Sequence, residues 1–211
     1  MENDTPNKIK ISKEIIATLP IETFPGKIVV IDNERDADNA VLQLNNERII
    51  GFDTETRPTF KKGKSNHVAL IQLSTHDTCY LFRINRIGFT PAIKNLLENE
   101  SLLKVGISLK DDFCMLSRLN GGQFIPRNFI ELQKFVKQYN IEDQSLQKIY
   151  GIVIGKKISK GQRLSNWEAD HLTENQQLYA ATDAWSCIKI YEVLKSGKFK
   201  SPIYKIQPSS L

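Results

Sequence analysis

Residues 48–56 read RIIGFDTET, and the predicted sheet is built around them. The apolar residues that precede Asp53 are mostly β-branched, which predicts a strand buried on both faces in the middle of a sheet. Asp53 and Glu55 are two residues apart, so both carboxylates point to one side of that strand. Buried carboxylates repel each other and lose hydration, and no Lys or Arg is interleaved with them. We therefore expect a bound divalent metal, Mg²⁺ or Mn²⁺, because both prefer oxygen ligands.

Residues 172–194, LTENQQLYAATDAWSCIKIYEVL, carry a second acidic signal. Apolar residues recur there at helical spacing, which predicts an amphipathic helix with Thr173 as its N-cap. Tyr179 and Asp183 are four residues apart and so share a face of the helix. Alone, this pair is more typical of an ordinary structural contact. The acidic strand at the other end of the chain is what favours a functional interpretation.

A third acidic signal lies in KVGISLKDDFCML, residues 104–116. A strand is predicted to end and a helix to begin there, which places Asp111 and Asp112 in the first helical turn. The helix dipole favours acidic residues at that position, so an ordinary stabilising role is open for both. If Phe113 and Leu116 face the core, Asp112 projects near the edge of the sheet and Asp111 points outward. Asp112 is the preferred site residue, and Asp111 is kept as the alternative.

Together these signals predict one constellation of four carboxylates and a phenol. A two-metal phosphodiester site needs such a set, with its ions about 4 Å apart. A tyrosine hydroxyl beside it can orient the attacking water by a hydrogen bond. The predicted set is Asp53, Glu55, Asp112, Tyr179 and Asp183.

Two basic runs flank the acidic stretches. Lys61 and Lys62 follow the acidic strand, and Arg163 ends the run GKKISKGQR before the last helix. Contact with a phosphate backbone and plain solvation are both open for these side chains. Thr54 can also offer its backbone N–H to a terminal nucleotide, although an ordinary strand position is the more common role.

Composition narrows the class of protein. The 211 residues are 40% hydrophobic and 25% charged, with a net charge of +5, which is ordinary for one globular domain. No apolar run approaches the roughly 18 residues of a membrane helix, and the polar start is unlike a signal peptide. Three widely spaced cysteines predict free thiols and a cytoplasmic, intracellular location. We expect an N-terminal arm over 1–25, a domain over 26–195 and a C-terminal tail over 196–211.

The order of elements predicts an α/β domain. The pattern gives strands first, then a strand–helix unit, then mostly helices, with two of the strands paired as an antiparallel hairpin. Helices are therefore expected on both faces of a mixed sheet. The predicted strands are 26–32, 48–55, 67–75, 79–84 and 102–107, and a further helix is predicted over 131–139.

In order and spacing, FDTET, KVGISLKDDFCML and LYAATDA resemble the three motifs of the DEDD 3′-5′ exonucleases. The Y-x-x-x-D form of the last motif is that of the tyrosine subclass. The likeness is to ribonuclease D and, more closely, to the Werner-syndrome-type exonuclease domain, and it covers about residues 26–195.

This resemblance implies a ribonuclease H-like fold with a five-stranded mixed sheet. It implies hydrolysis of nucleotides one at a time from the 3′ end of a nucleic acid, with two metal ions held by Asp53, Glu55, Asp112 and Asp183 and water positioned by Tyr179. A non-catalytic nucleic-acid-binding module on the same fold is the alternative. A small-molecule phosphatase is disfavoured because Glu55 stands where that chemistry usually needs an Asp. The choice between DNA and RNA is open.

Overall fold

The computed structural model describes residues 8–57 and 67–200. The strands are β1 (Lys27–Ile31), β2 (Ile49–Thr56), β3 (Val68–Ser74), β4 (Thr78–Phe82), β5 (Leu103–Gly106) and β6 (Phe129–Glu131). The helices are α1 (Lys13–Thr18), α2 (Glu34–Leu44), α3 (Ile84–Ile87), α4 (Pro91–Glu98), α5 (Leu109–Leu119), α6 (Leu132–Phe135), α7 (Leu146–Ile154) and α8 (Glu174–Lys195), and a 3₁₀ turn covers Val136–Tyr139.

The six described strands form one mixed sheet in the order β1-β4-β3-β2-β5-β6. The β3–β4 pair is antiparallel, which confirms the predicted hairpin, and β2 also runs antiparallel to β3. Strands β1, β5 and β6 each pair in parallel with a neighbour. The expected count of five strands is wrong, because β6 was missed. Its three residues are too few to show an alternating pattern, and the helix predicted from 131 begins one residue later.

Helices cover both faces of the sheet, which confirms the predicted fold class. On one face, α7 and α8 enclose a core with Leu81 and Val105 of the sheet. On the other face, α2, α4 and α5 pack against Ile50 and Phe52 of β2. Because side chains alternate along a strand, the residues of β2 between and beyond these two point towards α8.

The described part of the predicted N-terminal arm is packed into the α8 side of the molecule. Ile9, Ile11, Ile16 and Phe24 are all buried in that core. Short parallel bridges join Ile9 to Ile141 and Ile21 to Lys157. The division of the chain into arm, domain and tail stays a prediction, and residues 201–211 of the predicted tail lie outside the described ranges.

Helix α8 begins where the sequence predicts, because Thr173 caps it reciprocally with Gln176. The prediction of an amphipathic helix is wrong, since every residue from Tyr179 to Ile188 is buried. A helix enclosed on nearly all sides gains little from a polar face, so its polar residues there need a local explanation. No helix in the described ranges is long and apolar enough to cross a membrane.

Candidate active site

The site begins where α8 crosses β2 at very short range. A Cβ atom added to Gly51 would lie 1.9 Å from the carbonyl oxygen of Ala184, so only glycine fits under the helix. Asp183 precedes Ala184, and Asp53 lies two residues beyond Gly51 on the same side of the strand. The close crossing therefore brings the acidic residue of the helix to the acidic end of the strand. A glycine within a buried strand is a sequence signal for such a close approach.

Three carboxylates meet at this crossing. Carboxylate oxygens of Asp53, Glu55 and Asp183 lie within 4.8 Å of one another. Asp183 is buried, and Asp53 and Glu55 are half-buried. They come from two elements, β2 and α8, and Asp183 lies 128 residues after Glu55 (183 minus 55), so the cluster is a product of the fold.

The protein environment disfavours charge on all three groups. Burial raises the pKa of Asp53 well above its usual range, and Asp183, Glu55 and Asp112 add to that rise. Burial raises the pKa of Glu55 to about 9, with a further contribution from Asp183. Burial also raises the pKa of Asp183 to about 7, although the Tyr179 phenol and Lys160 favour its charged form. Without a cation, the cluster therefore retains protons at neutral pH.

Asp112 lies beside this cluster but is not one of its three members. The hydroxyl of Thr54, which points to the opposite side of β2 from Asp53 and Glu55, donates a hydrogen bond to its Oδ1 atom. Burial raises the pKa of Asp112 to about 6, against the opposing effect of that hydrogen bond. Its neighbour Asp111 is exposed, which favours Asp112 as the fourth acidic residue of the site. The sequence predicted neither the hydrogen bond from Thr54 to Asp112 nor the separation of Asp112 from the other three carboxylates.

Tyr179 is buried one helical turn before Asp183. Burial raises the pKa of its phenol, and the charges of Asp183 and Glu55 raise it further, so the hydroxyl keeps its proton. Trp167 is fully buried against it, with the two ring centroids 6.0 Å apart. The tyrosine ring is therefore held in place by packing while its hydroxyl faces the carboxylates.

The loop before α8 brings two cations to the site. Arg163 lowers the pKa of Glu55 and Lys160 lowers that of Asp183, so both charges act on the cluster, and both side chains are exposed. Both belong to the run GKKISKGQR, for which phosphate contact was left open from the sequence, and Arg163 alone was singled out there as a site residue. Lys61 and Lys62 lie outside the described ranges.

The same loop is anchored by arginines at its far end. The buried Arg83 donates a hydrogen bond to the carbonyl of Ala169, and Arg86 donates one to the carbonyl of Asp170 at 2.6 Å. Arg57, the first residue after β2, pairs with Glu168 at 3.1 Å. These contacts fix the loop against the sheet on the side of the carboxylates.

The chemistry of this site suits a hard divalent cation. Within the described part of the chain, no Lys or Arg forms an ion pair with any of the four acidic side chains. A cation held by three or four carboxylate oxygens would compensate the burial that raises their pKa values and the repulsion that adds to it at Asp53 and Glu55. The donor set contains only oxygen atoms, which fits Mg²⁺ or Mn²⁺ and disfavours zinc.

Comparisons with known proteins agree with this geometry. A family model described as 3′-5′ exonuclease matches residues 28–197. The bifunctional 3′-5′ exonuclease/ATP-dependent helicase WRN of Mus musculus is 34% identical over 208 residues, which covers 90% of this chain. The chain spans 14% of the length of that mouse protein.

Solved structures show the same fold. The Nibbler EXO domain of Aedes aegypti superposes with a TM-score of 0.74 at 23% identity, and the match covers 83% of this chain and 91% of that one. Trypanosoma brucei RNase D, in a complex with RNA U12, gives a TM-score of 0.72 at 20% identity and covers 87% of this chain and 67% of its own. The predicted likeness to ribonuclease D and to the Werner-type domain is confirmed.

Proposed function

The chain belongs to the 3′-5′ exonuclease family, and on that premise we propose that it removes nucleotides one at a time from the 3′ end of a nucleic acid. The observation that carries the proposal is the meeting of Asp53, Glu55 and Asp183 within 4.8 Å, in a place that disfavours their charges. A protein that only needed stability would not gather three uncompensated acids there.

We assign the metal ligands to the same residues. Asp53, Glu55 and Asp183 would hold Mg²⁺ or Mn²⁺, and Asp112 would complete a site for two ions. When bound, such ions lower the pKa of water and stabilise charge on the leaving oxygen. The role of this chain is to keep the carboxylates converged through the β2–α8 crossing and to hold Asp112 at the rim through Thr54.

Tyr179 is proposed to orient the attacking water. Its raised pKa keeps the hydroxyl protonated, so it can donate one hydrogen bond and accept another. The packing of Trp167 against its ring limits where that hydroxyl can lie. A tyrosine in this role would increase the reaction rate by orienting the water, and it would not need to transfer its phenol proton.

The substrate contacts follow from the positions of the cations. Arg163 and Lys160 are proposed to bind phosphates near the cleaved bond, because their charges already act on Glu55 and Asp183. Contacts from Lys61, Lys62 and the backbone N–H of Thr54 stay predictions. The RNA complex of the Trypanosoma relative supports nucleic acid as the substrate class.

The test is a time course with 5′-labelled DNA and RNA single strands in Mg²⁺ or Mn²⁺. We expect a ladder that shortens in single-nucleotide steps from the 3′ end and stops on addition of EDTA. A 3′-terminal phosphate should slow the reaction if a free 3′ end is required. Binding of both strands without shortening in either metal would contradict the proposal and favour the non-catalytic binding module. The ratio of DNA to RNA rates then identifies the substrate.

A further inference from the structure

A cleft of about 700 Å³ opens on the α5 side of the candidate active site. Its lining includes Asp111 and Glu131, whose charges act on Asp112, so the cleft lies near the fourth carboxylate. Half-buried rings of Phe113 and Phe129 form an apolar part of its wall, with their centroids 4.8 Å apart. The cleft is thus partly aromatic and lies next to the place where a 3′ end would be cleaved.

A second cleft of about 500 Å³ continues from the first. Lys137 and Gln144 line both clefts, so the two are neighbours that share a wall. The second is built partly by the N-terminal segment, which is fixed there by the bridge between Ile9 and Ile141. This segment lies outside residues 28–197, the part of the chain that matches the family model.

Lysines dominate the rim of this combined groove. Lys110, Lys134 and Lys137 are exposed, and none of the three forms an ion pair with a described residue. Lys8 and Lys10 share a single carboxylate, that of Glu142, which leaves one positive charge in excess.

The acidic residues of the groove do not cancel this charge. Five lysines and three acidic residues line the groove, which gives it a net charge of +2 (5 minus 3). The acidic residues are Asp111, Glu131 and Glu142. Glu131 is already engaged, because its carboxylate accepts the backbone N–H groups of Ser108 and Leu109 at 3.1 and 2.8 Å. The free positive charge therefore lies along the rim, away from the acidic cluster.

We propose that this groove, including its N-terminal extension, binds the sugar-phosphate backbone of the single strand upstream of the 3′ end. The inference rests on the proposed exonuclease function, and it adds a binding surface that the N-terminal segment supplies. A row of lysines next to aromatic rings is the arrangement that single-stranded nucleic acids require, since phosphates need cations and bases need apolar faces. An acidic peptide would need the cations alone.

The consequence is that affinity depends on substrate length. A strand of about 4 nucleotides reaches only the carboxylates and the nearest cations, whereas one of about 16 nucleotides can fill the groove. Each phosphate contact also releases counterions, so the salt dependence of binding reports the number of lysines engaged.

The decisive variant is Lys8→Gln/Lys10→Gln/Lys137→Gln. Its matched control is Lys27→Gln/Lys195→Gln/Lys198→Gln, which removes the same charge from exposed residues that line neither cleft. We expect the first variant to weaken binding of the long strand roughly tenfold and to reduce the slope of log K against log salt by about 2. Turnover of the short strand should match the wild type, and the control should change neither quantity.

A second variant, Lys134→Gln/Lys137→Gln, leaves the N-terminal segment untouched and should give a smaller loss of the same kind. Equal binding of the long strand by wild type and both groove variants would overturn the inference. So would displacement of the strand by polyglutamate of equal length at equal charge, because the groove would then be a site for acidic protein. Failure of the wild type to shorten any strand would instead contradict the proposed function. Binding of the long strand measured in EDTA would still test the groove, because it does not require catalysis.

Discussion

One tyrosine–carboxylate pair lies beside α8 and another lies within it, and the two have opposite electrostatic environments. In the first, the Tyr150 hydroxyl donates a hydrogen bond to Glu22, and Lys156 and Lys189 reach the same carboxylate at 2.7 and 2.8 Å. In the second, Tyr179 lies beside Asp183, where two more acids converge and no lysine or arginine of the described chain forms an ion pair.

The pKa values show what this difference means. Burial alone would raise the pKa of Glu22, but hydrogen bonds from Lys156, Lys189 and Tyr150 outweigh it and lower the pKa to about 2. Burial raises the pKa of Asp183 to about 7, and the nearby phenol and Lys160 do not reverse it. The first pair is neutralised by the fold and is structural. The second lacks such compensation among the described residues, which is what we expect of the proposed metal site.

The largest expected effect comes from Asp183→Asn. We expect the exonuclease rate to fall by roughly 10³-fold or more, because a metal ligand is lost. The free energy of unfolding of the metal-free protein at pH 8 should rise by roughly 1–3 kcal/mol, since a buried charge is removed. Single-turnover assays and urea denaturation measure the two quantities. A variant that kept its rate within tenfold of wild type would contradict the assignment of Asp183.

The two tyrosines provide a matched pair of substitutions. Tyr179→Phe should lower kcat by roughly 10- to 100-fold without a large loss of stability, because it removes only the water-orienting hydroxyl. Tyr150→Phe should leave kcat unchanged and cost about 1 kcal/mol of stability, because it removes one hydrogen bond to Glu22. Steady-state kinetics with thermal melts distinguish the roles, and equal kcat values for both variants would remove Tyr179 from the mechanism.

Glu22→Gln tests the structural side of the comparison. It leaves Lys156 and Lys189 without their carboxylate, and we expect a loss of roughly 1–3 kcal/mol in the free energy of unfolding, reduced by the partial exposure of both lysines. The activity per folded molecule should not change. If the exonuclease rate fell while the fold stayed intact, the Glu22 cluster would have a functional role.

The smallest expected effect is on thermal stability, to which Glu22 and the acidic cluster contribute with opposite dependence on pH. The contribution of Glu22 is present above its ordinary pKa of 4.5 and is lost as the pH falls towards 2. The acidic cluster behaves oppositely, because raised pKa values give stability at low pH that is lost as the pH rises through about 7 to 9.

Millimolar Mg²⁺ should therefore raise the melting temperature by about 2–4 °C at pH 8 and by less at pH 5. Differential scanning fluorimetry measures both shifts, and Asp183→Asn should abolish them. A Mg²⁺ shift that was equal at both pH values and kept by that variant would place the ion elsewhere.

The sequence was most informative where short-range geometry fixes the outcome. Residues two apart on a strand share a side, and residues four apart on a helix share a face, so the Asp53–Glu55 and Tyr179–Asp183 pairs could be predicted. It failed where the pattern was too short or the environment unusual. The strand β6 has only three residues, and α8 is enclosed on nearly all sides instead of lying on the surface.

By itself, the sequence determined the acidic strand, the cap and extent of the last helix, the antiparallel hairpin and the family to which the chain belongs. These features follow from the local spacing of residues, because the geometry of a strand or a helix fixes the direction in which each side chain points. Three further features depend on the tertiary structure. Gly51 lets α8 pack closely against β2, Thr54 donates a hydrogen bond to Asp112, and the carboxylate of Glu22 is neutralised by lysines while that of Asp183 is not. Those outcomes depend on contacts between residues far apart in the chain, and burial and charge compensation arise only when such residues meet.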